Sequence, residues 1–562
     1  QIPNMRRVCQ TLQSARSQNS RKTRHTPMSS SAIWAAAARL DAPAVRTACT
    51  NPQLGLDMRH LSWKILVSVL HGCPTNYGAH FEKIMRQWIF GGKREDATIK
   101  SILPSLSVEG IQRLQGLLHA KLAANTSTLW PDTVLLADMR QVALDLCEPV
   151  LTTLLACTGH GRNARVGPLA TVAAHIGSKL LLSQLKAQGL NLAAPNGPHA
   201  TIFEWATSGV AMHPVQRLTT IQPPLVSLEW HSALHSAAWL GDFEVFDLLQ
   251  REVPELHPLR EPRSGLSAAQ ILPQLDRANA SAAGNHTHTR GPVSTCDIDS
   301  VTGQYVHANP DGFLRKFISR RRPVIVRGMV KASPAFSRLA ARLTRERLIA
   351  ECGACQVAVG PSPYSDELHP ANERAGQRME RLDAFLNSLG RLVRLQDGVE
   401  RDPRHAYVFT TKICVSTSGT PLLTNMSIGD WIGRDGVPEW MAALQIGHPQ
   451  HHKLFSACGA QFYVGAKGTG SAYHHHNAAW NILTSGRKRW SFLPPAQAAW
   501  SRLPLSEFHR RGHQRKLSER LGGHLALKCV QLEGDMVVVP EAWGHEVRNL
   551  ASSIGVAQEF YH

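Results

Sequence analysis

Long apolar runs are missing from this chain of 562 residues. No stretch of about 18 apolar residues is free of charge, so the sequence predicts no membrane-spanning helix. Acidic residues are also scarce, with 42 Asp and Glu against 61 Lys and Arg, which gives a net charge of +19. Such an excess favours acidic partners, but the arginines are scattered along the chain, and nucleic-acid binding is therefore not expected.

Cysteine is sparse as well, with 11 residues at irregular spacing. This usage excludes a disulfide-dense scaffold and predicts a reducing, intracellular compartment, nucleus or cytoplasm. Cys352-Gly-Ala-Cys355 is the single CxxC pair in the sequence, and a lone pair is more typical of two buried thiols than of a zinc site. Residues 1–45 are basic and Ser-rich, which is typical of a disordered tail or of a targeting segment, so organellar import stays open.

The first half of the chain has helical periodicity and no chemical motif. Residues 50–165 predict packed helices, and residues 166–275 contain a repeated pair of small residues followed by glycine. The copies recur at a spacing of 32, in Ala173–Gly177, Trp205–Gly209 and Ala237–Gly241, and the pair Ala268-Ala269 follows 31 residues later. The segment from Ser232 to Leu249 resembles an ankyrin repeat. An ankyrin-like array would recruit a protein partner or only brace the second half.

Residues 276–300 are rich in Ala, Ser, Thr and Gly without an apolar period and predict a linker. In residues 301–562 the apolar segments become short and strand-like. Eight strands are predicted after residue 460, at 461–464, 471–476, 480–485, 488–493, 528–532, 536–539, 546–549 and 555–560. Arg320–Arg322 predicts a solvated edge before a strand, and Pro494–Gly523 a basic surface insertion. The pattern favours a sandwich or a closed roll.

Three histidines and one lysine of this second half form the candidate site. His474 and His476 lie two residues apart in a predicted strand, so their imidazoles leave the same face and can share a metal ion. Lys488 follows on the returning strand of a hairpin, where alternation turns its two arginine neighbours to the opposite face. His545 lies in a turn after a buried strand. The sequence therefore predicts a histidine-lined pocket with a lysine at its back.

The segments PVIVRG, GTGSAYHHHNAAWNILTSGRKRWSFLPP and GDMVVVPEAWGHEVRNLASSIGVAQEF resemble the JmjC domain, a cupin-type double-stranded β-helix of iron(II)- and 2-oxoglutarate-dependent oxygenases. The resemblance covers residues 301–562. It implies that His474 and His545 bind the metal and that Lys488 pairs with the distal carboxylate of 2-oxoglutarate. Ser471 and Asn481 hold positions that in relatives often help to bind this cosubstrate.

One metal-ligand position departs from the family pattern, which has Asp or Glu where this chain has His476. Two histidines and one carboxylate make the usual iron site, whereas three neutral imidazoles forgo an anionic donor and also suit zinc. Some JmjC relatives share the His-x-His variant. Ala557 is a second departure, because many relatives have a hydroxyl residue there.

These observations predict an α + β multidomain chain, with an N-terminal all-α ankyrin-like array followed by a double-stranded β-helix. The leading hypothesis is an Fe(II)- and 2-oxoglutarate-dependent oxygenase that hydroxylates a protein side chain. Hydroxylation is preferred to histone demethylation because the sequence has no zinc finger and no chromatin-reader pattern. The alternative is a scaffold that has lost competent iron binding, and a zinc-dependent hydrolase is a third hypothesis.

Overall fold

A computed structural model describes the chain mainly over residues 232–260, 266–273, 296–360, 378–389, 406–416, 423–427, 460–521 and 526–560, with single-residue gaps. Shorter described pieces lie between residues 43 and 192 and between 391 and 401. The predicted N-terminal tail, the repeat copy at Trp205–Gly209 and most of the predicted linker lie outside the described residues. No helix in the described part is long and apolar enough to cross a membrane.

The helices are α1 (Lys179–Ala187), α2 (Ala233–Leu240), α3 (Phe243–Glu252), α4 (Ala268–Ile271), α5 (Gly303–Ala308), α6 (Pro310–Phe313), α7 (Met329–Ala332), α8 (Pro334–Arg342), α9 (Arg345–Cys352), α10 (Leu382–Asn387), α11 (Leu505–Arg510) and α12 (His513–Arg520). A π-helical turn, Leu314–Ile318, follows α6, and a 3-10 turn covers Pro495–Gln497.

The strands are β1 (Thr133–Leu135), β2 (Asp299–Thr302), β3 (Val324–Arg327), β4 (Gln356–Gly360), β5 (Arg378–Arg381), β6 (Val393–Arg394), β7 (Glu400–Arg401), β8 (Tyr407–Thr410), β9 (Lys412–Ser416), β10 (Leu423–Ser427), β11 (Gln461–Gly465), β12 (Gly470–His474), β13 (Ala479–Ser485), β14 (Arg487–Leu493), β15 (Ala499–Ser501), β16 (Leu527–Leu532), β17 (Met536–Val539), β18 (Gly544–Asn549) and β19 (Ser553–Glu559).

Two large sheets build most of the second half of the chain, and β6 with β7 and β9 with β10 form two-stranded sheets. The larger has nine strands in the order β2-β3-β17-β13-β19-β11-β8-β4-β5, and the smaller has four in the order β12-β18-β14-β16. All eight strands predicted after residue 460 are present, with ends shifted by a few residues. Some consecutive strands lie in different sheets. For example, β12 belongs to the small sheet and β13 to the large one, so residues that are close in sequence lie on opposite sides of the interior.

The main hydrophobic core lies where the nine-stranded sheet meets the helices between β2 and β5. Trp480 of β13 and Phe336 of α8 are both buried and meet edge to face, with ring centroids 5.5 Å apart. α8 ends at Arg342, and α9 begins three residues later. Thr344 caps α9 by accepting a hydrogen bond from the Arg347 N–H, an arrangement that Ser and Thr favour at helix starts.

Two of the repeat copies have the same turn after their small residues. Gly177 and Gly241 both adopt positive φ, 77° and 66°, where a glycine has no side chain to clash. The N–H of each glycine donates a hydrogen bond to the carbonyl of the residue three positions earlier. The N–H of the residue after the glycine donates to the carbonyl five positions before it. α2 and α3 form a helical hairpin around Gly241. The wider ankyrin-like array stays a prediction.

The helical hairpin and α4 contact the second half through the three arginines. Arg320 donates from Nη2 to the Gln270 carbonyl at 2.9 Å, and the Arg321 guanidinium lies 4.8 Å from the Trp239 ring centroid. Arg322 is only 9% exposed. The predicted solvated edge is therefore wrong, because these arginines face the preceding helices, and no local sequence pattern indicates that contact.

The cysteines also differ from prediction. Cys296 and Cys529 form a disulfide across a sequence separation of 233 residues, and Cys355 is disulfide-bonded as well. Cys352 is a free, buried thiol. The prediction that the CxxC pair consists of two buried thiols is therefore right for Cys352 and wrong for Cys355. Pairing over such separations leaves no spacing pattern that could be detected in the sequence.

Candidate metal centre

Three histidines converge at one end of the small sheet. His474 ends β12, His545 begins the neighbouring strand β18, and the two are Cα partners in the antiparallel register. His476 follows two residues after the end of β12. Their ring centroids lie 4.1 Å apart for His474 and His545, 4.7 Å for His476 and His545, and 5.4 Å for His474 and His476. One nitrogen from each ring can be chosen so that all three lie within 4.8 Å of one another. This spacing is compatible with a shared metal ion.

Backbone carbonyls orient two of the rings. His545 Nδ1 lies 2.9 Å from the Trp543 carbonyl, and His474 Nδ1 lies 2.9 Å from the Ala472 carbonyl. A carbonyl can only accept a hydrogen bond, so Nδ1 carries the proton and Nε2 keeps its lone pair for a metal. The Ser471 hydroxyl is also 2.9 Å from His474 Nδ1. The structure therefore places Ser471 against a candidate ligand, a contact that sequence reasoning missed.

The environment keeps His545 in the neutral form. Burial lowers its pKa well below the ordinary value of 6.5, and the neighbouring His474 and His476 lower the pKa further. His545 is 2% exposed and lies beside Trp490, whose ring centroid is 5.8 Å away. A neutral imidazole is the form that binds metals, so this ring needs no deprotonation near neutral pH.

Lys488 of β14 points into the same interior and is 1% exposed. Its Nζ lies 3.3 Å from the ring centroid of Tyr463, a cation–π contact with a fully buried ring. Burial lowers the pKa of Lys488 well below its ordinary value of 10.5, and within the described part of the chain no acidic side chain counters that shift. A buried amine without an anionic partner is costly, so this position is suited to an anionic ligand.

Asn481 lies on β13 beside Lys488 and is held by its neighbours. Its Oδ1 is 2.7 Å from the Tyr463 hydroxyl, and its backbone carbonyl accepts from Gln531 Nε2 at 3.0 Å. Gln531 in turn accepts at Oε1 from Trp490 Nε1 at 2.9 Å. This chain of hydrogen bonds crosses from the large sheet to the small one and fixes the side chains between them.

One cavity of about 510 Å³, a volume that includes its open mouth, is lined by all six residues singled out from the sequence. These are Ser471, His474, His476, Asn481, Lys488 and His545. Ala557, Gln461 and Glu559 line the facing wall from β19 and β11. The structure thus brings together every predicted site residue, while their roles as ligands stay predictions.

Sequence reasoning missed Tyr463, Gln531 and Glu559. Tyr463 is the most informative of these, because it lies under the lysine and bonds to Asn481. It is the third residue of the predicted strand QFYV, where a tyrosine facing the interior looks like an ordinary core residue. Only the pairing of β11 with β19, and of β19 with β13, brings it to Asn481.

Residues 310–562 match the family model described as a cupin-like domain. The second half of the chain is a cupin-like domain. The matched residues cover the four-stranded sheet, the nine-stranded sheet except β2, and the histidine cluster. The cupin-like domain therefore accounts for the fold predicted for this half, and its relatives carry JmjC names.

Curated relatives support this assignment. The chain is 30% identical over 103 residues to the mouse "2-oxoglutarate and iron-dependent oxygenase JMJD4", which is 17% of this chain and 24% of the relative. It is 22% identical over 272 residues to the "Arginine-specific demethylase JMJ22" of Arabidopsis thaliana, 44% of each chain. It is 26% identical over 133 residues to the mouse "JmjC domain-containing protein 8", 23% of this chain and 47% of the relative. The chain spans less than half the length of these relatives.

Proposed function

We propose that the cupin-like domain is an Fe(II)- and 2-oxoglutarate-dependent oxygenase that hydroxylates a protein side chain. The main support is that a histidine cluster and a buried lysine, which has no acidic partner among the residues that the structure describes, line the same cavity. Relatives named as 2-oxoglutarate- and iron-dependent oxygenases add to this support.

The histidine cluster fits a divalent transition metal. Two rings have Nδ1 bonded to carbonyls, which leaves Nε2 of His474 and His545 as donors. His476 supplies a third nitrogen in place of the carboxylate of the usual facial triad. With three neutral donors, the site keeps the full positive charge of the metal, which strengthens its pull on an anionic cosubstrate and also admits zinc.

The lysine end of the cavity fits a dicarboxylate. A carboxylate beside Lys488 Nζ would restore the proton affinity that burial removes, and Tyr463 and Asn481 limit how the amine can turn. Oxidation of the substrate, driven by decarboxylation of 2-oxoglutarate, is the chemistry that metal and cosubstrate supply together when bound. Trp490 and Tyr463 are buried and help to keep water from this interior.

Residues at the mouth of the cavity would meet the substrate. Glu559 is partly exposed there, at the end of β19 and opposite Ala479. A protein side chain is the proposed substrate, and the helical first half would brace the domain or recruit that protein. Some relatives are named arginine-specific or lysine-specific demethylases. A gain of one oxygen by the substrate, rather than loss of a methyl group, separates hydroxylation from demethylation.

The test is metal-dependent turnover. Protein loaded anaerobically with Fe(II) and then exposed to oxygen should convert 2-oxoglutarate to succinate, and His545→Ala should abolish the conversion. Lys488→Met should raise the KM for 2-oxoglutarate roughly 30-fold or more, since the loss of a buried charge partner costs about 2–5 kcal/mol. Arg487→Gln, on the exposed neighbour, is the matched control and should leave KM unchanged.

A scaffold without turnover is the second candidate, and His476 is the observation that favours it. If the wild-type protein forms no succinate and His476→Asp does not create the activity, the oxygenase proposal is rejected. Stoichiometric zinc together with indifference to 2-oxoglutarate would instead support the hydrolase.

A further inference from the structure

A disulfide joins the segment that precedes β2 to a strand beside the site. The Cα atoms of Cys296 and Cys529 lie 4.1 Å apart, and Cys529 of β16 is paired with Trp490 of β14. Backbone contacts fix the segment independently of the sulfurs. Asp297 N–H donates to the Lys528 carbonyl at 2.8 Å, and Lys528 N–H donates to the Asp297 carboxylate at 2.8 Å. The two cysteines are therefore held together by the fold itself.

The two cysteines of the CxxC pair also indicate an oxidising environment. Cys355 is also disulfide-bonded, whereas Cys352, three residues earlier, is a free thiol. Cys352 is fully buried, and burial raises its pKa to about 12, so it has almost no thiolate with which to attack a disulfide. Among cysteines whose side chains the structure describes, the one left reduced is thus the unreactive one.

Stable structural disulfides form in oxidising compartments and are rare where glutathione and thioredoxin keep thiols reduced. We infer that this protein is oxidised at Cys296–Cys529 during folding and acts in a disulfide-forming compartment. The two thiols lose two protons and two electrons as the S–S bond forms, and the disulfide of a thiol oxidoreductase accepts them to become a dithiol. This inference replaces the reducing compartment expected from the sequence.

The inference narrows the substrate class, and this part rests on the proposed function. A protein hydroxylase in such a compartment would meet secreted or lumenal chains rather than chromatin. The sequence offers an independent reporter of passage through the secretory pathway, because Asn279-Ala-Ser281 and Asn285-His-Thr287 precede Cys296. Asn-x-Ser/Thr is the acceptor for N-glycosylation, and the surrounding composition is that of a linker.

The test maps the cysteines of the full chain expressed in eukaryotic cells. Cells are lysed directly in denaturant with N-ethylmaleimide, so that free thiols are blocked before they can oxidise, and the protein is digested without reductant. We expect a peptide pair joined through Cys296 and Cys529 that separates on reduction. Cys352 should carry the maleimide and is the internal control.

The outcomes are distinct from those of the turnover assay. Maleimide on both Cys296 and Cys529 in most molecules would overturn the inference, even if succinate forms. A cross-link together with a glycosidase-sensitive mass shift, lost in Asn279→Gln/Asn285→Gln, supports secretory substrates. A cross-link without the glycosidase-sensitive mass shift supports the disulfide but overturns the proposal of secretory substrates. Cys296→Ser should lower the unfolding temperature of the oxidised protein toward that of the reduced wild type, which also lacks the disulfide of Cys355. Cys352→Ala should leave the gap between the oxidised and the reduced protein unchanged.

Discussion

At the scale of single residues, Lys488 carries the clearest conflict between stability and binding. Its amine is buried against Tyr463, and burial alone lowers its pKa. A charge in this position destabilises the empty protein while it prepares a site for a carboxylate. Binding residues that oppose folding in this way have a measurable signature, because removal of the charge should improve stability and impair binding.

We therefore predict that Lys488→Met stabilises the ligand-free protein by about 1–3 kcal/mol and weakens 2-oxoglutarate binding. Chemical denaturation of both proteins, with and without 2-oxoglutarate, measures the two effects. Added 2-oxoglutarate should raise the denaturation midpoint of the wild type much more than that of the variant. A variant less stable than the wild type would show that the lysine is already compensated.

The same lysine gives a pH dependence with a definite sign. Its pKa in the folded state is below the unfolded value near 10.5, so between the two the unfolded state binds more protons and stability rises with pH. The advantage of Lys488→Met should therefore be largest below the folded pKa and shrink as the pH rises toward 10.5. Denaturation of wild type and variant at pH 7 and at about pH 9.5 tests this, and an advantage independent of pH would contradict it.

The candidate site residues could be chosen from sequence because strand alternation and the JmjC resemblance both point to them. Period-two alternation predicts His474 and His476 on one face and Lys488 inward. In the structure β12 ends at His474, yet the rings of His474 and His476 lie close together and Lys488 is buried, while the roles of these residues stay predictions. Tyr463 and Gln531 could not be found in this way. Their contacts with Lys488 and Asn481 depend on strand pairing between segments 18 to 50 residues apart, which no local pattern encodes.

At the scale of elements, the insertion between β14 and β16 covers the outside of the strands that carry the histidines. Phe508 of α11 is buried and meets Tyr473 of β12, with ring centroids 5.9 Å apart. His509 Nε2 lies 3.0 Å from Glu546 Oε1 on β18, and Glu546 is 2% exposed. Glu546 is next to His545 but leaves the opposite face of the strand. The predicted basic surface insertion is therefore partly a cover for the strands that carry the histidine cluster.

We predict that His509→Leu destabilises the protein by about 3 kcal/mol and lowers its affinity for metal, because it leaves a buried carboxylate without its partner. Urea denaturation and metal titration measure the two effects. Arg510→Gln breaks an exposed contact with Glu507 on the same helix and should change neither. If both variants behave alike, the insertion does not support the site.

At the scale of the whole molecule, the described helical hairpin of α2 and α3 makes a tight contact with the cupin-like domain. A Cβ atom built on Gly241 would lie 2.5 Å from Cβ and 2.6 Å from Cγ of Pro494, far inside van der Waals contact. The cation–π contact of Arg321 with Trp239 and the hydrogen bond from Arg320 to the Gln270 carbonyl belong to the same contact. Periodicity could predict the helices but not this packing, since neither the turn glycine nor the arginines show which surface they face.

Gly241→Ala should therefore weaken the contact between the helical hairpin and the cupin-like domain, and Gly189→Ala is its matched control. Both glycines have positive φ, 66° and 72°, so both variants carry the same backbone strain, but a Cβ on Gly189 meets nothing within 4 Å. We expect Gly241→Ala to cost about 1–3 kcal/mol more than the control, from overpacking against Pro494. Trypsin should then cleave faster after Arg320 and Arg321, while succinate formation persists if the helical segment is only a brace. Equal cleavage in both variants would show that the contact with Pro494 does not hold the halves together.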